Sequence, residues 1–518
     1  MVEALVVTLG AIVALAVLAR RLGLPEPLVF VLGGAGLGLV PGLPLVSYDS
    51  NAVFLVFFPL LLFSAAWTTS WNDFRPNAPT IVSLGLGAVV ATTLVVGVVA
   101  KALIPGLSWP LCFLLGVILA DPDFRTFFAV AARVGMPRRV TTVLGGEGLV
   151  EGTAQLTLYL AFSAAITAGA FSFFDVARAL VVGPIIGATV GLAMAWLVYQ
   201  VDLRMPDPSL SITLSLLAPF AAYLPALAVG GNRLAAVAVA GLYLGWRADV
   251  TERPAVRLNA DAAWLVLAFL LNGFVYVPAG MALPGVLRDL GGVSYAALLG
   301  WVLALTLAVL ATRFLWVLGV HTLVRAVRGL LGRRTDLAWS ERILFAYAPT
   351  RGAFAVASAL ALPLSAGAGE PFPARDLLIA LSVGVMLVSV AAQGLTLPGL
   401  IRAIDLPEDL RREREENLAW RKGAEAALER IDELADGRRV PEELAKGLRL
   451  QYRDRLRRYG SVPDGRLPGT APDIGVRKDL IGVERAALLR LREEDAISDT
   501  VFRRVERELD IMELYLDY

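Results

Sequence analysis

Six ionisable residues lie inside stretches of this 518-residue chain that are otherwise almost wholly apolar. They are Asp121, Asp123, Glu147, Glu151, Arg313 and Arg351. A charge at membrane depth costs roughly 2.5–3.5 kcal/mol even on insertion scales, so each such residue is expected to have a partner or a function. The chemistry available to this set is the binding of cations and protons by carboxylates, with arginines as counter-charges.

Asp121 and Asp123 flank Pro122 within the apolar stretch 109–132. Proline removes a helix hydrogen bond and restricts the residue before it, which predicts an interrupted helix with free carbonyl oxygens. A carboxylate beside such carbonyls suits a monovalent cation such as Na⁺, and burial lets a proton compete for the same oxygens. That competition is the minimal chemistry of a cation/proton exchanger. The structural alternative is that one aspartate, Asp121 more readily than Asp123, caps a half-helix.

Glu147 and Glu151 are four residues apart and therefore lie on one face of a predicted helix. Two like charges on that face repel unless one is paired or protonated. Arg313 and Arg351 are the available partners, so one glutamate is expected to be structural and the other to titrate. The residues alone do not say which.

Two more polar residues lie in apolar stretches. Arg125 faces the ion site, or points away from it and reaches the membrane interface. Asn272 either makes a hydrogen bond between helices or supports the site.

The elements that must position these residues are predicted to be membrane helices. The chain is 57% hydrophobic and 18% charged, against about 25% charged in soluble domains. Apolar runs predict an all-α membrane protein with about thirteen spans, near 4–19, 27–44, 52–70, 78–103, 109–132, 141–170, 175–200, 209–229, 233–247, 262–283, 294–325, 341–363 and 376–402. The fifth and twelfth spans are predicted to be broken, at 120–123 and 348–352. Breaks in corresponding positions of two halves indicate two inverted repeats around a transport site, whereas ordinary proline kinks are the alternative.

The charge distribution predicts two domains, a membrane domain over 1–402 and a helical tail over 403–518. The tail holds 23 of the 47 Lys/Arg and 27 of the 46 Asp/Glu residues. Arginines cluster in alternate connections of the membrane domain, which places the N-terminus outside and the tail in the cytoplasm. No cleavable signal peptide is evident, because the first apolar run ends in Arg20-Arg21.

Other function classes find little support. A net charge of +1 gives no reason to expect nucleic acid, and one cysteine and one histidine give no disulfide framework or multi-histidine metal site. No nucleophile, phosphate loop or cofactor motif stands out. Neither an enzyme nor a bound cofactor or metal beyond a transported cation is expected.

Several stretches resemble the monovalent cation:proton antiporter family, in its branch of bacterial sodium/proton exchangers with a cytosolic tail. They are RLGLP at 21–25, PLLLF at 59–63, residues 215–246, FLLNG at 269–273, TRGA at 350–353 and QGLTLP at 393–398. The resemblance implies a thirteen-span inverted-repeat fold and a homodimer, in which an ion-binding core moves against a dimerisation domain.

The resemblance also implies roles for individual residues. Asp123 matches the acid of the broken fifth helix, and Arg351 matches the arginine of the other broken helix. Glu147 and Arg313 match a structural ion pair, which leaves Glu151 free to titrate. The chain departs from the family where the family has Asn-Asp. In the ungapped register Glu151-Gly152 stands there, whereas matching on Gly152-Thr153-Ala154 puts Val150 at the asparagine and Glu151 at the aspartate. Both registers leave one acid and lose the asparagine.

The expected function is secondary antiport of a monovalent cation, Na⁺ first and K⁺ or Li⁺ next, for protons across the cytoplasmic membrane. Asp123, Glu151 and Asp121 are the expected cation and proton ligands, and membrane lipids are the expected surroundings. The alternative is a diverged homologue with another substrate, or a sensor that signals to the tail. The substitutions around the site favour that alternative, whereas the retained charges count against it.

Overall fold

A computed structural model describes most of the chain: residues 2–43, 53–123, 136, 138–169, 172–205, 207–251, 254–330, 339–366, 370–404, 410–437 and 440–460, with short pieces at 481–482, 509 and 511–513. The chain divides into two compact units, Met1–Pro407 and Glu408–Tyr518.

The first unit consists of long apolar helices joined by short connections. Its helices are α1 (Val2–Leu22), α2 (Glu26–Gly38), α3 (Phe58–Trp67), α4 (Trp71–Leu103), α5 (Trp109–Ala120), α6 (Arg138–Ala168), α7 (Phe173–Asp202), α8 (Pro208–Ala228), α9 (Arg233–Thr251), α10 (Pro254–Asp289), α11 (Tyr295–Leu330), α12 (Trp339–Tyr347), α13 (Ala353–Leu360) and α14 (Arg375–Ala403). A five-residue π-helical turn, Val53–Phe57, leads into α3.

Within the described residues, eight of these helices are long and apolar enough to cross a membrane. Three shorter apolar helices accompany them, Glu26–Gly38, Phe54–Trp67 and Trp109–Ala120. Large apolar side chains such as Phe173, Leu265 and Leu307 are exposed on the outer faces of the long helices, as lipid-facing residues would be. The predicted all-α membrane fold is confirmed. The count of thirteen spans and the inverted repeat remain predictions, although each predicted span overlaps at least one described helix.

The four strands in the described residues are only two residues long. They are β1 (Pro122–Asp123), β2 (Thr350–Arg351), β3 (Ser365–Ala366) and β4 (Glu370–Pro371). The first two lie at the predicted breaks: α5 ends at Ala120 before β1, and β2 lies between α12 and α13. β1 and β2 pair antiparallel, with Pro122 opposite Arg351 and Asp123 opposite Thr350. The two interruptions therefore meet, and each satisfies some of the other's backbone hydrogen-bonding groups. We call this paired segment, Pro122–Asp123 with Thr350–Arg351, the crossing.

Glycines allow some helices to pack backbone against backbone. A side chain at Gly34 of α2 would lie 2.3 Å from the carbonyl oxygen of Val277 in α10, and one at Gly280 would lie 2.2 Å from that of Val31. Such close contacts maximise dispersion attraction where lipid supplies no hydrophobic driving force between helices. They fix α2 and α10 to each other.

The second unit contains two described helices, α15 (Leu410–Asp436) and α16 (Glu442–Gly460). Arg449 of α16 donates to Asp432 of α15 at 2.7 Å and to Glu442, the first residue of α16, at 3.2 Å. Ala424, Ile431 and Ala445 are buried between the two helices' apolar faces. Most of the remainder of the predicted helical tail, residues 461–518, lies outside the described residues.

Candidate ion-binding site

Arg313 of α11 holds both glutamates of α6. Its Nη1 lies 2.5 Å from Glu147 Oε1, its Nη2 lies 2.6 Å from Glu147 Oε2, and Nη1 is also 3.2 Å from Glu151 Oε1. The remaining Nε donates to the carbonyl oxygen of Phe345, at the end of α12. All three charged side chains are buried. The four-residue spacing on α6 is what brings both carboxylates to one guanidinium.

The two glutamates bind the arginine differently. Glu147 makes a bidentate, charge-assisted pair, which is the strongest geometry for these groups. Glu151 contributes one oxygen only, and its Oε2 is buried with no hydrogen-bond partner. The family resemblance predicts that the Arg313–Glu147 pair leaves Glu151 free. In the structure Arg313 also contacts Glu151, through Oε1 only. A buried ionised oxygen without a partner is costly, so Oε2 needs a proton or a cation.

Gly152, beside Glu151, is buried but has room for a Cβ atom. A side chain there would contact only Leu62 Cδ1 of α3, at 3.7 Å. The glycine that departs from the family pattern is thus not required by packing.

Arg351 connects the two interrupted helices. Its Nη1 donates to the carbonyl oxygen of Ala120, the last residue of α5, at 2.8 Å, and its own backbone N–H donates to Ser389 of α14. Carbonyl groups at a helix C-terminus carry partial negative charge, so the buried guanidinium stabilises this end. Asp121 is buried immediately after it. Asp121 has the C-cap position of α5. Residues 124–135, where a half-helix capped at the break would begin, lie outside the described residues, so the capping alternative stays a prediction.

A buried amide supports the second break. Gln393 of α14 donates to the carbonyl oxygens of Tyr347 and Pro349, at 2.6 and 3.2 Å, and accepts from Ser389 at 2.5 Å. These carbonyls lie at and just beyond the end of α12, where helix hydrogen bonds are missing. Gln393 lies in a stretch that carries the family resemblance, but sequence reasoning assigned it no role. Its polarity inside an apolar span was the available signal.

The remaining predicted residues are placed as follows. The backbone of Asp123 lies in β1, two residues after Asp121 and opposite Thr350. Arg125 lies outside the described residues. Asn272 of α10 donates to the carbonyl oxygen of Ala268 in its own helix, while its Oδ1 is buried without a hydrogen-bond partner. Among the described residues, the amide group of Asn272 makes no hydrogen bond to another helix or to the charged cluster.

One cavity adjoins the charged cluster, and a second lies further along α6. A small one of about 50 Å³ lies between α11, α12 and α14, and Arg313, Arg351, Ser389 and Gln393 line it. A large one of about 760 Å³ lies between the second half of α6, the first half of α7 and the junction of α8 with α9. Thr157, Asn232 and Arg233 are among its polar lining residues. Among the side chains that the structure describes, no group of three or more His, Cys, Asp or Glu is arranged to hold a metal ion.

Solved structures of antiporters share this architecture. A sodium proton antiporter of Methanocaldococcus jannaschii, MjNhaP1 at pH 8, superimposes with a TM-score of 0.60 over 77% of this chain and 98% of that one, at 20% identity. At that identity the likeness shows the fold alone.

Two relatives are more similar to this chain in sequence than that structure is. An uncharacterized Na(+)/H(+) exchanger of Mycobacterium bovis is 33% identical over 527 aligned positions, covering 99% of this chain and 95% of the relative. A sodium, potassium, lithium and rubidium/H(+) antiporter of Bacillus pumilus is 28% identical and covers 83% of this chain and 66% of the relative. The profile of the transmembrane sodium/hydrogen exchanger family matches residues 6–403. The chain therefore belongs to the sodium/hydrogen exchanger family, as its sequence motifs predict.

Proposed function

We propose that this protein exchanges a monovalent cation for protons, with Na⁺ as the first candidate and K⁺ or Li⁺ as the next. Glu151, Asp123 and Asp121 are the proposed ligands, occupied in turn by the cation and by a proton. Glu147 and Arg313 form the proposed structural pair, and Arg351 is the fixed charge of the crossing. Membership of the family supports exchange, and the relatives' own activities suggest the cations.

The observation that carries this assignment is the unpartnered Oε2 of Glu151. Arg313 fixes the orientation of the carboxylate through Oε1, so Oε2 has a defined position without a donor. A proton and a small cation each satisfy such an oxygen, but not at the same time. Exclusive occupation of one oxygen by either species is what couples their transport.

The charge balance supports the same proposal. Around the crossing, the described side chains include three buried acids, Asp121, Glu147 and Glu151, and two buried arginines, Arg313 and Arg351. One negative charge is left over, which one cation or one proton neutralises. Asp123, whose backbone lies in the crossing, would add a further ligand.

The surroundings follow from the same proposal. The 403–518 segment is proposed to be a cytosolic tail and the N-terminus to be outside, on the strength of the arginine distribution. The exposed apolar faces of the long helices are proposed to contact membrane lipids and, over part of their area, a second copy of the chain.

The test is proton flux in proteoliposomes that contain a pH dye, with Na⁺, K⁺ or Li⁺ pulses between pH 6.5 and 9. We expect flux with at least one cation, and a loss of at least tenfold in both Asp123→Asn and Glu151→Gln. Asn272→Ala is the matched control, because its amide contacts only its own helix. Wild-type flux in both site variants would contradict the assigned ligands. Silence of the folded wild-type protein with all three cations would favour the diverged homologue.

A further inference from the structure

Asn232 joins the helix that carries the glutamates to a neighbouring pair of helices. Its Nδ2 donates to the carbonyl oxygen of Thr153 at 2.9 Å and to Thr157 Oγ1 at 2.8 Å, both in α6. Its Oδ1 accepts the backbone N–H of Ala235 at 2.9 Å, as an N-cap of α9 does. The side chain is 8% exposed, so these bonds are shielded from water.

The backbone of Asn232 belongs to the α7–α9 pair. Its N–H donates to the carbonyl oxygen of Gly183 in α7 at 2.8 Å. A side chain at Gly187 would lie 2.1 Å from the carbonyl oxygen of Asn232, and one at Gly191 would lie 2.2 Å from that of Ala236. The two helices are thus in direct backbone contact and are packed as one unit.

The bonds of the amide group end on the ion-site helix. Thr153 and Thr157 follow Glu151 by two and six residues along α6, and both threonines are buried. A separation of α6 from α9 by an ångström or more along the direction of these bonds would lengthen both beyond hydrogen-bond range.

The large cavity lies between these two bodies. Its 760 Å³ lie between α6 on one side and α7 with the start of α9 on the other, and both Thr157 and Asn232 line it. An exchanger must expose its site to one side of the membrane at a time. A cavity open in one state therefore has to close in the other, by movement of its walls.

We propose that Asn232 is a positioning residue that acts as a latch: its two bonds to α6 hold the cavity-open conformation and break once in each transport cycle. Its role in the cycle depends on the proposed antiport, whereas its role in holding the conformation does not. Two variants remove the latch from opposite sides. Asn232→Ser keeps an oxygen to cap α9 but is too short to reach α6, and Thr157→Val removes one acceptor with little change of shape.

A matched control removes a cap at the same cavity without crossing the boundary. Ser172 accepts the N–H of Asp175 at the start of α7 and lines the same cavity. Ser172→Ala therefore reports the effect of a lost N-cap alone.

The first measurement needs no transport. The one native cysteine, buried Cys112, is replaced by alanine, and Ala179→Cys on the cavity wall is labelled with a membrane-impermeant maleimide in proteoliposomes. We expect Thr157→Val to slow labelling about fivefold, the population change that one hydrogen bond supports, and Asn232→Ser, which loses both bonds, to slow it at least as much. Ser172→Ala should leave the rate unchanged. Unchanged labelling in both latch variants, or an equal change in Ser172→Ala, would overturn the proposal.

The second measurement tests the opening of the latch during turnover. Asn232→Cys and Thr157→Cys are combined in the Cys112→Ala background and bridged with a short bis-methanethiosulfonate reagent. Bridging should reduce cation-driven proton flux at least tenfold, and dithiothreitol should restore it. Bridged protein that exchanges as fast as the dithiothreitol-treated protein would overturn the proposal. If the two latch variants label more slowly but the wild-type protein shows no cation-driven flux, the proposed antiport is rejected and the latch is retained.

Discussion

The guanidinium of Arg351 donates to the carbonyl oxygen of Ala120, 2.8 Å away and 231 residues earlier in the chain. This bond joins the interruption of one helix to the end of another. Because β1 and β2 pair at the same place, the crossing is held by backbone bonds and by one buried charge. The carboxylates of Asp121 and Glu151 are near enough for their charges to act on that guanidinium. Arg351 thus fixes the geometry of the crossing and balances the charge of its acids.

Replacing Arg351 should affect both properties. Arg351→Gln removes the positive charge and shortens the donor, so we expect at least a tenfold loss of exchange and a destabilisation of about 1.5–3 kcal/mol, the value of a charged hydrogen bond. Arg351→Lys keeps the charge and should lose stability without losing all exchange. Thermal unfolding in nanodiscs and flux in proteoliposomes measure the two effects. Equal flux in both variants would show that the charge is not what matters.

The two glutamates should separate stability from transport. Glu147→Gln removes the bidentate partner of a buried arginine, which we expect to cost about 3–5 kcal/mol of folding stability. Glu151→Gln breaks only a single contact at 3.2 Å and should cost clearly less while abolishing exchange. Thermal unfolding of the two purified variants, side by side with their flux, gives the comparison. The assignment of roles would be reversed if Glu151→Gln were the less stable of the two.

The contact between α2 and α10 should not tolerate a methyl group. In Gly34→Ala the new side chain would lie 2.3 Å from the carbonyl oxygen of Val277, so the helices must separate, at a cost of about 1–3 kcal/mol. Gly36→Ala, two residues further along the same helix, meets nothing within 4 Å and should cost nothing. Unfolding temperatures of the two variants test the contact. Similar values would show that the helices are not fixed there.

Removal of the tail should leave the membrane unit folded. Met1–Pro407 has its own buried core, so a chain that lacks residues 408–518 should insert and purify as a monodisperse species. Its exchange is expected to persist with an altered dependence on pH or ion concentration, which flux assays against pH would measure. A truncated chain that fails to insert or assemble would make the tail a structural requirement instead.

The sequence by itself determined the class of fold and the places where helices are broken. Run length and hydropathy identify membrane helices because lipid excludes other backbone structures, and proline beside charged residues locates the interruptions. The spacing of Glu147 and Glu151 fixed their common face, since the helical repeat is a local property. Family motifs supplied the pairing of Glu147 with Arg313, which periodicity alone left open.

Only the tertiary structure decided how Arg313 shares its hydrogen bonds between the two glutamates, and which residues support the charged cluster. Arg313 lies 162 residues from Glu151 in sequence, and its second contact there depends on the packing of α6 against α11. The same holds for Gln393 beneath the second break and for Asn232 between α6 and α9. Their polarity was visible in the sequence, but a polar side chain in an apolar helix satisfies its hydrogen bonds wherever packing places a partner. That choice is made by contacts between helices, which no local pattern encodes.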